Sequence, residues 1–477
     1  MAQPITTVDV PPQPVERFRE LLGPAFAEVE QGAARAREVF DGRVVWNLNS
    51  TARGGGVAEM LRSHLAYVRA AGIDVRWLVV GEGDGFFEVT KRIHNNLHGS
   101  PGDGGELGPR QRRAYEKGLR RAGGELAGVV RPGDVALLHD PQTLGLIEPM
   151  LEAGARVVWR CHVGVDSPNE LVRRAWEFLI GYLLPADGYT FSRREYVWEG
   201  LDAGRVAIVP PSIDPFSPKN QDLGAAAVEA ILGVTGIGPD GRGGPSIFVR
   251  TDGTPGRVDR PAQVVQEAPV PPGSPLVCQV SRWDRLKDPL GVIRAFAGHL
   301  TTPGAHLMLA GPDVTAVADD PEGAEVLAEV TDFRAGLAAQ VRERVHLAML
   351  PLDDIEENAA MVNAVQRRAE VVVQKSLAEG FGLTVSEAMW KGTPVVASRV
   401  GGIQDQIVDG RSGLLVEPTD LAGFAAAADS LLSDPTRAAA IGAAGRERVK
   451  EEFLVTGRLL NYFALFAALL GVERGRS

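Results

Sequence analysis

The stretch Val371-Val372-Val373-Gln374-Lys375-Ser376-Leu377-Ala378-Glu379-Gly380-Phe381-Gly382-Leu383-Thr384-Val385-Ser386-Glu387-Ala388-Met389 decides how the rest of the chain is read. Val371 to Gln374 is a short β-branched run and predicts a strand. A glycine-rich loop follows, and the apolar spacing from Leu383 onward predicts a helix. Two carboxylates stand eight residues apart, Glu379 on the loop and Glu387 in the first turn of the helix. Thr384 and Glu387 have the spacing of a capping box, which gives Glu387 a structural explanation beside any functional one. Glu379 has no such explanation.

The same strand, loop and helix pattern repeats outward in both directions. Before it come strands predicted at Leu276 to Val280, His306 to Ala310 and Val345 to Leu350, and after it at Val395 to Ser398 and Gly413 to Val416. The first half offers Val44 to Leu48, Val75 to Val80, Val135 to His139, Val157 to Cys161, Gly188 to Phe191 and Val206 to Val209, behind a helix expected from Val15 to Phe40. Strands alternating with helix-length segments mean parallel sheets in an α/β fold. Between the two series, residues 223–274 are rich in Gly and Pro, a text that punctuates rather than packs. The expected domains are therefore residues 1–214 and 215–454, with a last helix at about 455–477 packing back on the first. Doubly wound sheets bind ligands outside the carboxyl ends of their strands, so two of them are expected to frame a cleft.

Length supports the division, since 477 residues exceed what one core ordinarily holds. The formal charge of −11 argues against a nucleic-acid or acidic-membrane partner, and no basic stripe is evident in the text. The two cysteines, Cys161 and Cys278, sit inside strand-like runs and read as buried thiols of a reducing compartment. The amino terminus has no basic start followed by an apolar stretch, and no long apolar run occurs elsewhere, so a cytoplasmic protein is expected.

Three further segments carry chemistry. The first strand runs into Asn49-Ser50-Thr51-Ala52-Arg53-Gly54-Gly55-Gly56, where glycines let the backbone approach a ligand and a helix start favours an anion. A tight turn alone would also explain them. Strand Leu276 to Val280 leads into Ser281-Arg282-Trp283-Asp284-Arg285-Leu286-Lys287, which sets Arg282 and Lys287 where they can neutralise a diphosphate. Surface cations are the plainer reading of the pair. Glu379, on a loop past a strand, is placed to accept hydrogen bonds from sugar hydroxyls.

With these residues in view, the chain resembles the retaining glycosyltransferases of the GT-B architecture, whose signature is a Glu, seven residues and a Glu. Within them it is similar to the trehalose glycosyltransferring synthases, through NSTARGGGVAEML, VTKRIHNNLHG, LHDPQTLGLI, RCHVGVDSPN, PPSIDPFSPKN, QVSRWDRLKDPLGV and EGFGLTVSEAMWKGTPVVASRVGGI. The resemblance implies two Rossmann-like domains facing across a cleft, an amino-terminal one for the acceptor and a carboxyl-terminal one for the donor. It implies that Arg282 and Lys287 hold the donor diphosphate, with Gly55 and Gly56 approaching it from the other domain. Glu379 would contact the transferred glucose, Glu387 the ribose, and Leu383 and Thr384 the phosphates. His162, in the RCH segment, would be aimed at the donor sugar. His94, Asn95 and Asn96, taken as loop residues, and Asp140 and Gln142 are candidate acceptor contacts.

The implied reaction is transfer of α-glucose from a nucleoside diphosphate glucose to free glucose, giving α,α-trehalose with retention and running in both directions. A trehalose phosphorylase using glucose 1-phosphate and a silent sugar- or nucleotide-binding regulator are the rival readings. The likeness implies no tightly bound cofactor and leaves room for stimulation by Mg2+ and for a homodimer.

Overall fold

A computed structural model of the chain describes residues 5–52, 56–81, 83–239, 244–314 and 321–471. It divides into two compact units, Met1–Ser212 with Val455–Ser477, and Ile213–Leu454.

The first unit is built on a seven-stranded sheet of β1 (Ile5–Val8), β2 (Val45–Asn49), β3 (Val75–Val80), β4 (Val135–His139), β5 (Arg156–Cys161), β6 (Gly188–Phe191) and β7 (Val206–Ile208). Its order is β1-β3-β2-β4-β5-β6-β7, and every pairing is parallel except that of β1 with β3. All five residues of β2 and of β4 are buried, because helices cover both faces of a parallel sheet. The helix expected from Val15 to Phe40 is interrupted: Gly23 takes φ 55° ahead of Pro24, and the main helix starts only at Phe26. The Val455–Leu469 helix packs on the Phe26–Val39 helix, so closely that a Cβ at Gly32 would lie 2.1 Å from Leu460 Cδ2.

The second unit holds β10 (Gln263–Val265), β11 (Leu276–Val280), β12 (His306–Pro312), β13 (Val345–Leu350), β14 (Val371–Gln374), β15 (Val395–Ser398) and β16 (Leu414–Val416), preceded by a hairpin of β8 (Ile247–Val249) and β9 (Pro255–Arg257). The sheet order is β10-β13-β12-β11-β14-β15-β16, with β10 antiparallel at the edge. Residues 223–274 thus do more than punctuate. Beyond the hairpin and β10, the stretch supplies the Ala225–Thr235 helix and grips the start of the Ile355–Arg368 helix. Arg250 pairs with Asp354 and Glu356, while the Asp259 and Arg260 amides donate to buried Glu357.

In each sheet the chain winds one way and then the other from a central pair, β2 and β4 in the first unit and β11 and β14 in the second. The crevice at the carboxyl ends of such a pair is where doubly wound sheets take ligands. Another feature hidden by the overall charge is the Pro109–Val129 helix, which exposes Arg110, Arg113, Lys117, Arg120 and Arg121. The chain therefore does carry a short basic stripe. Among the described residues no helix is long and apolar enough to cross a membrane.

Candidate functional site

In the second unit, the residues after β11 and after β14 meet at the switch point. Lys287 Nζ lies 2.5 Å from Glu379 Oε2, and their side chains are only 16% and 11% exposed. Asp284 caps the turn that carries the lysine by accepting from the Leu286 amide at 2.7 Å. Asp288 takes an unusual positive φ of 46°, caps the Pro289–His299 helix through the Gly291 amide and pairs with buried Lys375. Gln279 ties the two strand ends together, donating to the Lys287 carbonyl at 2.9 Å and accepting from the Lys375 amide at 2.9 Å. Arg282 stands farther out, 60% exposed, paired with Asp284 at 2.8 Å.

The Glu379 loop is held from below. Gly382 turns it with φ 83°, and a Cβ at Gly402 would sit 2.7 Å from Phe381 Cα, so two glycine-rich loops touch through their backbones. Buried Gln406 donates to the Phe381 carbonyl at 2.5 Å and accepts from Ser386 Oγ at 2.5 Å. The helix that follows runs from Leu383 to Trp390 with Gly382 at its N-cap. This corrects the capping-box expectation: Thr384 sits inside the helix and its hydroxyl donates to Gln374 Oε1 at 2.9 Å. Glu387 lies a turn further on, buried, with Lys219 Nζ 3.6 Å from Oε1. Leu383 and Thr384 lie in the first turn, where backbone N–H groups have no carbonyl ahead of them and an anion is favoured.

The first unit gathers a different set at its own switch point. Asp140 follows β4 with φ 62° and accepts from the His162 amide through Oδ1 at 2.8 Å. Arg160 Nε, always protonated, donates to His162 Nδ1 at 3.4 Å. That assigns the His162 proton to Nε2, which faces His139 Nδ1 at 3.1 Å, and His139 Nε2 in turn reaches Asn47 Oδ1 at 3.5 Å. Both ring nitrogens of His162 are thereby engaged. Buried His64, whose Nε2 meets Ser212 Oγ at 2.8 Å, lies close enough to Arg160 and His139 to feel their charge. Burial, then the Arg160 charge, lowers His64 and His139 to about 3 and His162 well below its usual value. Burial pushes Asp140 up to about 7, against the His162 amide bond and the Arg160 charge.

The structure therefore joins Lys287 with Glu379, and Asp140 with His162. Gln142 sits in the turn after Asp140, its Oε1 buried without a hydrogen-bond partner among the described residues. His94, Asn95 and Asn96 belong to the Asp84–Leu97 helix, which corrects their expected place in a loop. Gly56 begins the Gly56–Ala70 helix, and Gly55 lies outside the described residues. Sequence reasoning missed Gln279, Lys375, Ser376 and Lys219. The signal for the first three was a polar residue next to last in, or just past, an otherwise apolar strand.

Comparison with known proteins places the chain in a family. The model of the trehalose synthase N-terminal domain matches residues 47–198, and that of the group 1 glycosyl transferases matches residues 263–448. The trehalose synthase of Rubrobacter xylanophilus is 36% identical over 457 residues, which is 95% of each chain. That of Pyrococcus horikoshii is 34% identical over 458 residues, 96% of this chain and 97% of the relative. Among solved structures, an α,α-trehalose-phosphate synthase (UDP-forming) from Burkholderia vietnamiensis superposes with a TM-score of 0.65 at 16% identity, covering 90% of this chain and 99% of that one. That likeness shows the fold, which is GT-B. With both units matched and relatives aligned along nearly its whole length, the chain belongs to the trehalose synthase family and is a glycosyltransferase of trehalose metabolism.

Proposed function

We propose that the chain is a retaining glucosyltransferase that makes α,α-trehalose from a nucleoside diphosphate glucose and free glucose, and that also runs in reverse. The observation that carries this reading is the Lys287–Glu379 pair at the switch point of the second unit. A donor bound there sets its diphosphate against Lys287, Arg282 and the Leu383 and Thr384 amides, and its glucose against Glu379. Cations and a helix start aimed at the leaving group are worth most where charge develops as the bond breaks. Buried Glu387 receives the ribose hydroxyls. The departing phosphate takes the acceptor's proton on the face it leaves, so this reading assigns no covalent nucleophile. In the first unit, Asp140 and His162 with Gln142, and His94 and Asn95, serve the sugars. The His162 ring is neutral and acts by orientation, since its proton is committed to His139.

Nucleotide recognition is the part that a simple titration tests. A nucleoside diphosphate without sugar should raise the thermal midpoint, by the equivalent of about 2.7 kcal/mol at a hundred times its dissociation constant. A response to inorganic phosphate or glucose 1-phosphate with none to nucleotides would replace the synthase reading with the phosphorylase one.

A further inference from the structure

We propose that Ser376 is a positioning residue for glycosyl transfer, its hydroxyl oriented by Gln374 so that it holds the Glu379 carboxylate in one setting. The inference rests on the role proposed above for Glu379.

The geometry is a directed chain of hydrogen bonds. Thr384 Oγ1 donates to Gln374 Oε1 at 2.9 Å, which turns the amide so that Nε2 faces Ser376 and donates to its Oγ at 3.0 Å. The single hydroxyl proton of Ser376 is then left for Glu379 Oε2, 3.2 Å away. Lys287 meets that same oxygen. Gln374 and Ser376 are 1% and 0% exposed, so neither reaches a ligand itself.

Polar side chains buried this deeply are costly unless every bond is made, and apolar residues of the same size would fill the space as well. What this row adds is direction. Lysine is a point charge on a flexible stem and would follow Glu379 wherever it swung, whereas a hydroxyl fixed at the strand end does not. Lys375, clamped to Asp288 and to the Pro418 carbonyl, immobilises the backbone on which Ser376 stands. Each bond in a directed row also polarises the next, which strengthens the last one to the carboxylate.

The test compares turnover in wild type, Ser376→Ala and Ser376→Thr, each also in a Glu379→Gln background, with whichever glucosyl donor the wild type uses. Loss of a hydrogen bond to a charged group should lower kcat about tenfold in Ser376→Ala. The donor KM should stay near wild type, the melting temperature should fall by a few degrees because the buried Gln374 amide loses its acceptor, and Ser376→Thr, which keeps the hydroxyl, should recover most of the rate. In the Glu379→Gln background the alanine should change little, because a residue that acts through Glu379 has nothing left to position. If Ser376→Ala does not fold, Gln374→Met cuts the hydrogen-bond row one link earlier and should show the same dependence on Glu379. Equal losses in both backgrounds, or full turnover in folded Ser376→Ala, would overturn the inference. Use of glucose 1-phosphate alone would defeat the nucleotide reading, yet the comparison would still decide the role of Ser376.

Discussion

Replacing Lys287 with methionine keeps the length of the side chain and removes its charge. At 2.5 Å and an effective dielectric of about 20, the gross attraction to Glu379 is roughly 7 kcal/mol, most of it offset by the desolvation of both groups. What the variant changes is the carboxylate left behind, 11% exposed and without its cation. Exposed pairs are worth under about 1 kcal/mol and broken buried pairs cost about 3 to 5, so a loss near 2 kcal/mol follows for this mostly buried one. In a unit of this size that is a fall of about 4 to 8 °C in melting temperature. Neutralising the partner in Lys287→Met/Glu379→Gln should recover most of it. Activity should not return in the double variant. Initial rates should fall at least about a hundredfold in Lys287→Met, since a lost charge-stabilising donor is worth about 3 kcal/mol in the transition state. Calorimetry and initial-rate assays on the four proteins of the cycle test both parts. Near-normal turnover in folded Lys287→Met would refute the catalytic reasoning, and a melting loss that Glu379→Gln does not relieve would refute the electrostatic part.

Glu387→Gln should weaken nucleoside diphosphate binding about tenfold and, because it neutralises the buried partner of Lys219, lower stability by about 1 to 3 kcal/mol; unchanged binding in the folded variant would refute the ribose role. Acid should destabilise the first unit through its buried histidines, with the raised Asp140 carboxyl opposing them over the same range. His64 and His139 titrate near 3 when folded and near 6.5 when unfolded, so below pH 6.5 the unfolded chain binds the extra protons and stability falls as pH falls. At pH 5 each should have cost about 2 kcal/mol, and urea unfolding of His64→Asn should show a shallower decline between pH 7 and 5 than wild type. Glu357→Gln, which removes the buried charge that half-exposed Arg260 pairs with, should lower stability by about 1 to 3 kcal/mol and speed proteolysis of the 247–257 hairpin; unchanged proteolysis would show that the hairpin is held by other means.

The parallel strands were legible because buried strands write themselves as continuous apolar runs: Val135–His139, Val345–Leu350 and Val371–Gln374 match their expected bounds. The antiparallel edges were not. Ile5–Val8 reads ITTV, with two polar threonines, and its place in the sheet comes from pairing with Val75–Val80 some seventy residues away. The hairpin at 247–257 was obscured by its glycines and prolines, which there form the turn and the strand ends themselves. At the site, Lys287 and Glu379 could be chosen by their places past two strands, but not their contact, since no local pattern tells that β11 and β14 are neighbours. Thr384 misled because the capping spacing is real while the cap lies two residues earlier, on left-handed Gly382. His162 was recognised from its segment, whereas the Arg160, His139 and Asn47 contacts that fix its proton come from three separate strands.

The central claim is chemical, and one reaction mixture tests it most directly. The wild-type protein, free glucose and a nucleoside diphosphate glucose are incubated, and the disaccharide is identified by its linkage and anomeric configuration. The account predicts α,α-trehalose with release of nucleoside diphosphate, and nucleoside diphosphate glucose formed again when trehalose and the diphosphate are supplied. A product with an inverted anomeric centre would contradict the retaining mechanism. Trehalose formed only when glucose 1-phosphate is the donor would contradict the use of a nucleotide sugar.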